Sequence, residues 1–174
     1  MAGGMTDRER AALALRTEND GRSFYEQAKT RTSHKLARAA FEILAKEEER
    51  HVGLIEALGQ SLIGKGGPVA VDSPTKGALA QGIRTIYECA MDEKPAGDLD
   101  AAKSYEKAIE LEKKISALYF ECARECESDE ARRLFNVLYR EEQDHLTLLE
   151  DMLMYLTKPD QWFIDKDYVL LDGG

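Results

Sequence analysis

Basic charge, aromatic bulk, cysteine and long apolar runs are all scarce in this sequence. Only 24 Lys and Arg side chains stand against 33 Asp and Glu, for a formal charge of −9. That leaves no basic face for a phosphate backbone, so a nucleic-acid partner is not expected. No apolar run approaches the roughly 18 residues a membrane-spanning helix requires, so no membrane span is expected. The N-terminus shows no basic segment followed by an apolar one, so a secretory signal is not expected either. Cys89, Cys122 and Cys126 cannot all pair within one chain, and no two of them form Cys-x-x-Cys. They are expected to be small, buried, reduced side chains of a cytoplasmic protein. Aromatics are 7% of the chain, and strand-like β-branched runs are few, which removes the usual support for sheets.

What remains is helix-forming sequence. The 174 residues suit one domain with a core of useful size, and 43% hydrophobic with 33% charged residues fits a strongly solvated globular protein. Four stretches rich in Ala, Leu, Glu, Lys and Arg have helical periodicity, at about 7–30, 34–60, 100–126 and 129–157. Thr32-Ser33 and Ser128-Asp129 interrupt them and offer N-cap side chains to the helices that follow. Links this short force antiparallel pairs. The expected fold is therefore all-α: a four-helix bundle made of two hairpins, about 7–60 and 100–157, within a single domain spanning 1–174. The crossover at 61–99 opens with Gly64, Gly66, Gly67 and Pro68. It then carries a short helix capped at Ser73-Pro74, with Leu79, Ile83, Ile86 and Ala90 on one face, ending before Pro95. Lys158-Pro159 ends the fourth long helix. The tail, 158–174, is expected to dock through Trp162, Phe163 and Tyr168-Val169-Leu170-Leu171.

The dominant pattern is an internal repeat with an offset of 94 residues and no gaps. Glu18 falls on Glu112, Tyr25 on Tyr119, Ala37 on Ala131, Phe41 on Phe135 and Leu44 on Leu138. Glu47 falls on Glu141, Glu48 on Glu142, His51 on His145 and Leu54 on Leu148. Each half thus holds a lone glutamate and, 30 residues later, the glutamate of a Glu-x-x-His. The hairpin turn lies midway. About fifteen residues up one helix and fifteen down the next each cover ~22 Å, so both glutamates return to one height. Packing the hairpins together brings four carboxylates and two imidazoles to one level.

These glutamates also sit on apolar stripes: Glu18 among Ala11, Ala14, Leu15 and Tyr25, and Glu48 among Phe41, Leu44, Ala45, Val52 and Ile55. Glu112 lies among Tyr105, Ala108, Ile109, Ile115 and Tyr119, and Glu142 among Phe135, Leu138, Leu146 and Leu149. An unpaired buried carboxylate costs several kcal/mol. Two divalent cations would neutralise the four, with one imidazole nitrogen for each metal. Such a donor set suits iron, manganese or zinc better than calcium or copper.

This constellation resembles the ferritin-like di-metal carboxylate superfamily, with a glutamate from each of two helices and a Glu-x-x-His from each of the other two. Within it the chain looks most like the rubrerythrins. The matching segments are Ala14-Leu15-Arg16-Thr17-Glu18 with Phe24-Tyr25, Lys46-Glu47-Glu48-Glu49-Arg50-His51, and Arg140-Glu141-Glu142-Gln143-Asp144-His145. The resemblance implies a ferritin-like bundle holding two iron ions per chain, with manganese or zinc as substitutes. Glu48 and Glu142 would bridge, Glu18 with His51 would complete one site, and Glu112 with His145 the other. It implies a peroxide- or dioxygen-reactive oxidoreductase of oxidative-stress defence, and a homodimer. Classical rubrerythrins carry paired Cys-x-x-Cys motifs in a rubredoxin domain. Their absence here makes the expected electron donor a separate rubredoxin-type protein. Classical rubrerythrins also carry an extra glutamate where this chain has Ile115. Isoleucine offers no lone pair, so both histidines are expected to keep their places in both oxidation states.

Two rival functions share the same residues: a ferroxidase or iron-handling protein, and a non-enzymatic bundle filled by structural metal. Tyr25 and Tyr119, on the faces of Glu18 and Glu112, fit either hydrogen bonding to a ligand carboxylate or plain packing. Glu47, Glu49, Glu141, Lys113-Lys114 and Arg132-Arg133 are expected on solvated faces, and His34 on the surface near a turn.

Overall fold

The computed structural model describes residues 4–70, 76–92 and 99–171, with side chains omitted for 76–80, 92, 99 and 167–171. Six helices follow one another: α1 Asp7–Arg31, α2 Lys35–Leu62, α3 Lys76–Asp92, α4 Leu99–Glu125, α5 Asp129–Thr157 and α6 Pro159–Leu171. No strand occurs among the described residues. The α1–α2 and α4–α5 hairpins are the most extensive pairings, and they meet through α2 against α5 and α1 against α4. This is an all-α, ferritin-like four-helix bundle with α3 and α6 added outside it. The expected cap at Ser73-Pro74, the stop before Pro95, and the side chains of Leu79 and of Tyr168 to Leu171 lie outside the described residues.

Local chemistry accounts for the helix ends. The Thr6 hydroxyl accepts from the Glu9 amide while the Glu9 carboxylate accepts from the Thr6 amide, a reciprocal box that starts α1. Ser128 caps α5 by accepting from the Ala131 amide at 3.2 Å. At the first turn the cap is shifted. His34, not Thr32 or Ser33, caps α2, with Nδ1 accepting from the Ala37 amide at 3.4 Å. Thr32 contributes by accepting from the His34 amide at 3.2 Å. His34 is consequently half-buried, its ring edge-on to Tyr155, rather than a free surface residue. Past α2, Gly64 takes φ 68°, a left-handed conformation that turns the chain out of the helix and that a side chain would resist.

The hairpins are tied across the bundle as well as packed. Asp7 accepts from the Glu127 and Ser128 amides at 3.1 and 2.8 Å, locking the start of α1 onto the α4–α5 turn. Arg10 bonds both Asp7 and Glu125. Glu130 accepts from Ser61 and from the Val69 amide, fixing the first stretch of the crossover against α5.

The apolar core comes in two blocks. One gathers Tyr25, Phe41, Leu44, Tyr105, Leu149 and Met152 with Ile86 and Ala90 of α3 and Trp162 of α6. The other gathers Ala14, Ile55, Leu58, Ile115, Tyr119, Leu134, Phe135 and Leu138 with Cys122 and Cys126. Between the blocks lies the layer of buried acids and histidines. Burial pushes the Cys122 thiol up to about 11 and Cys126 up to about 12, which keeps both protonated at neutral pH. Cys89 differs from the expectation: it is exposed.

Trp162 closes the first block. It is fully buried, edge-on to Tyr155 at 5.1 Å and to Phe163 at 5.2 Å, and it meets Tyr87 of α3. One indole thus joins α3, α5 and α6. Trp162→Ala is expected to cost about 3–5 kcal/mol, read as a lower urea midpoint by far-ultraviolet circular dichroism. A loss below about 1 kcal/mol would show that α6 contributes little to the fold.

Candidate metal centre

Midway along the four long helices, six donor side chains converge. Glu18 comes from α1, Glu48 and His51 from α2, Glu112 from α4, and Glu142 and His145 from α5. All six have 0% exposure. They form two groups that share Glu48 and Glu142: Glu18, Glu48, His51 and Glu142, and Glu48, Glu112, Glu142 and His145. Within each group the donor atoms lie within 4.8 Å of one another. The structure therefore brings together all six residues singled out by the repeat, in the two sets that the resemblance implied.

Glu142 stands between the imidazoles. Its two oxygens lie 3.0 Å from His51 Nδ1 and 3.0 Å from His145 Nδ1. His51 Nδ1 is also 3.5 Å from Glu18, and His145 Nδ1 is 3.4 Å from Glu48 and 3.9 Å from Glu112. The rings stack with centroids 5.5 Å apart and an interplanar angle of 19°. Gly21 of α1 provides the clearance: a Cβ there would come within 3.2 Å of Glu48 Oε2.

The tyrosines cross between the halves. The Tyr25 hydroxyl donates to Glu112, and the Tyr119 hydroxyl donates to Glu18. Both readings left open for them are seen together: each ring packs in an apolar block, and each phenol orients the carboxylate of the other hairpin.

A further set of residues surrounds the histidines. Glu47 and Glu141, expected on solvated faces, are only 8% and 7% exposed. Glu141 Oε2 lies 3.1 Å from His51 Nε2 and accepts from Arg50 Nη2 at 2.7 Å. Arg50 also bonds Glu47. The clue was in the repeat: Glu47 and Glu141 each sit four positions before a histidine, on the same helical face. Burial raises the Glu141 carboxyl, but the His51 hydrogen bond and Arg50 more than offset that, and it is held below its ordinary value.

Do these residues fit a metal pair? Among the described residues, eight buried donor atoms of the cluster find no aligned hydrogen bond: Glu18 Oε2, Glu112 Oε2, both oxygens of Glu48 and of Glu142, and Nδ1 of His51 and His145. Unsatisfied buried polar atoms are uncommon in native folds and costly. Eight pointing into one space fit bound cations, and oxygen with imidazole nitrogen is a donor set for iron, manganese or zinc.

Without cations the cluster must hold protons. Burial first, then the charges of Glu18 and Glu142, raise Glu48 well above the carboxylate range. Burial and the charges of Glu142 and Glu48 do the same to Glu112. For Glu142 burial is outweighed by His145 and His51, which hold it well below its usual value. For His51 burial is outweighed by Glu18 and Glu142, and for His145 mainly by Glu142, so both imidazoles are raised.

These directions set a pH dependence. The raised Glu48 and Glu112 stabilise the fold fully below about pH 4.3 and lose that contribution as pH climbs through their folded values. The raised histidines stabilise below about pH 6.5 and lose it likewise. Glu142 acts oppositely, but only at pH below its unfolded value of about 4.3. Protein stripped of metal by chelation is therefore expected to lose stability between pH 5 and 8, by about 1 kcal/mol per pH unit or more. Metal-loaded protein should change much less. Urea titrations at four pH values check this, and a flat profile for the stripped protein would contradict it.

The rubrerythrin family model matches residues 11–153, which contain every residue of the cluster. No curated protein and no solved structure gives a match. With the match covering most of the chain and the paired carboxylate–histidine groups inside it, the chain belongs to the rubrerythrin family.

Proposed function

We propose that this chain is a di-iron oxidoreductase that reduces hydrogen peroxide or dioxygen in the cytoplasm. The observation that carries the reading is the pair of buried donor groups sharing Glu48 and Glu142. Glu18 and His51 would complete one iron site and Glu112 and His145 the other, with the two shared glutamates belonging to both. Two ferrous ions held side by side would supply the two electrons that cleave an oxygen–oxygen bond. Peroxide then requires two protons to leave as two waters.

The remaining work falls to the chain's own residues. Tyr25 and Tyr119 hold Glu112 and Glu18 in place by hydrogen bonds from opposite hairpins. Their phenols are raised well above the ordinary value, by burial and then by the neighbouring acids, so they remain donors at neutral pH. Leu138, Phe135 and Ile115 form the apolar block on one side of the cluster, and Phe41, Leu44 and Tyr105 the block on the other. Both exclude bulk water, which strengthens every electrostatic contact within. Ile115 is fully buried beside Gly21 and gives the cluster no further donor. Electrons would come from a rubredoxin-type protein, since these 174 residues hold no Cys-x-x-Cys. A homodimer is the proposed assembly.

Iron loaded anaerobically should reach two ions per chain, and Glu48→Ala or Glu142→Ala should bring it to one or fewer, by elemental analysis. Stopped-flow mixing of the ferrous protein with peroxide and, separately, with oxygen should give oxidation within seconds in at least one case. Ferric mineral accumulating beyond two ions per chain would favour iron handling instead. Loaded ferrous protein inert to both oxidants would exclude the oxidoreductase reading.

A further inference from the structure

The donors nearest the cluster centre follow the internal repeat, and the contacts behind the imidazoles do not. Each histidine turns Nδ1 toward Glu142. Behind His51, Nε2 meets Glu141 at 3.1 Å, and Arg50 holds the same carboxylate oxygen at 2.7 Å. Behind His145, Nε2 is fully buried and has no hydrogen-bond partner among the described residues. By the repeat, the residue that should serve it is Glu47, the equivalent of Glu141. Glu47 does lie close, with one oxygen within 4.8 Å of a nitrogen of each histidine. It is held instead by Arg50, through Nε at 3.2 Å and Nη2 at 3.1 Å. The repeat equivalent of Arg50 is Asp144, so an acid rather than a second guanidinium occupies the matching place on α5. A third cation between Glu47 and His145 is disfavoured, because Arg50 already sets its charge on that carboxylate.

A histidine that gives one nitrogen to a metal carries its proton on the other. An acceptor for that proton fixes the tautomer, locks the ring and raises the basicity of the donor nitrogen. Glu141 does this for His51, and no described residue does it for His145. We propose that Glu141, held by Arg50, is a positioning residue that makes the Glu18–His51 half of the cluster the tighter metal subsite. That half fills first, and the Glu112–His145 half is the weaker and more exchangeable. The inference rests on reading the cluster as a two-metal centre.

Cobalt(II) is a suitable probe, since it absorbs in the visible and needs no redox step. The full metal-free chain is titrated with cobalt by calorimetry and absorbance, and crystals carrying one equivalent are examined by anomalous diffraction. Two steps separated by about tenfold or more in Kd are expected, with the first cobalt beside His51. Glu141→Leu should weaken the first step by about 10–100-fold and leave the second nearly unchanged, so that the order of filling levels or reverses. Glu141→Gln keeps an acceptor oxygen and should weaken it less. A packing role alone would lower the melting temperature without altering the order. Two indistinguishable steps in the natural chain, a first cobalt beside His145, or equal weakening of both steps by Glu141→Leu would each overturn the inference and leave the two-metal centre standing. Should the leucine variant fail to fold, the site of the first cobalt and the glutamine variant decide the matter. A natural chain that takes up no cobalt would remove the two-metal reading itself, and this inference with it.

Discussion

Four carboxylates share one level of a protein core, and the rest of the molecule is arranged around that charge. Glu18, Glu48, Glu112 and Glu142 are shut away from water, and most of their oxygens have no partner among the described residues. In a low-dielectric interior four such anions repel strongly enough to oppose folding. The chain's own answer is partial. The two imidazoles compensate Glu142, protons neutralise Glu48 and Glu112, and two phenols donate to Glu112 and Glu18. Bound cations would complete the compensation, because they bind the folded arrangement and not the unfolded chain.

The scaffold is built to withstand that repulsion. Apolar blocks above and below the layer clamp it, and each contains residues from both hairpins. Cross-bundle ties sit far from the layer: Asp7 and Arg10 hold α1 to the end of α4 and its turn, while Trp162 gathers α3 and α6 against α5 at the other end. The donors themselves come from helix interiors rather than loops. Their spacing is then fixed by helix packing rather than by the charges they carry. A layer of like charges can be positioned to within a few ångströms only if something other than those charges does the positioning.

How much of this could be read from the chain alone follows from where the signals are local. Helical periodicity marks the four long helices within a residue or two, because each must bury one continuous stripe. The six cluster residues stand out because an acid on an apolar stripe contradicts its surroundings, and here it does so at matched positions in two halves. His34 was obscured by chemistry that looked better on paper. Thr32 and Ser33 are stronger capping types, yet the chain turns one residue later and the imidazole Nδ1 accepts the amide instead. Glu47 and Glu141 were obscured by company. They stand beside other acids in Glu-Glu runs, where local polarity reads as solvent, and only the position four residues before a histidine shows that they turn inward. The crossing of Tyr25 to Glu112 and Tyr119 to Glu18 depends on how the hairpins dock, which no single segment encodes.

The repeat is obeyed unevenly, and the unevenness has a physical order. At the centre, Glu18 matches Glu112, Glu48 matches Glu142, His51 matches His145 and Tyr25 matches Tyr119, as two equivalent cation sites would require. One step outward the match breaks: Arg50 stands opposite Asp144, and Gly21 opposite Ile115. On the outer surface it breaks further, with exposed Phe120 where the first half has Glu26. Symmetry is thus closest in the donors and in apolar residues that flank them, such as Phe41 with Phe135 and Leu44 with Leu138. An asymmetric surround of a symmetric donor set is a physical means of making two like metal positions unlike: a single guanidinium, free to choose between Glu47 and Glu141, bonds both and leaves only one of them on an imidazole.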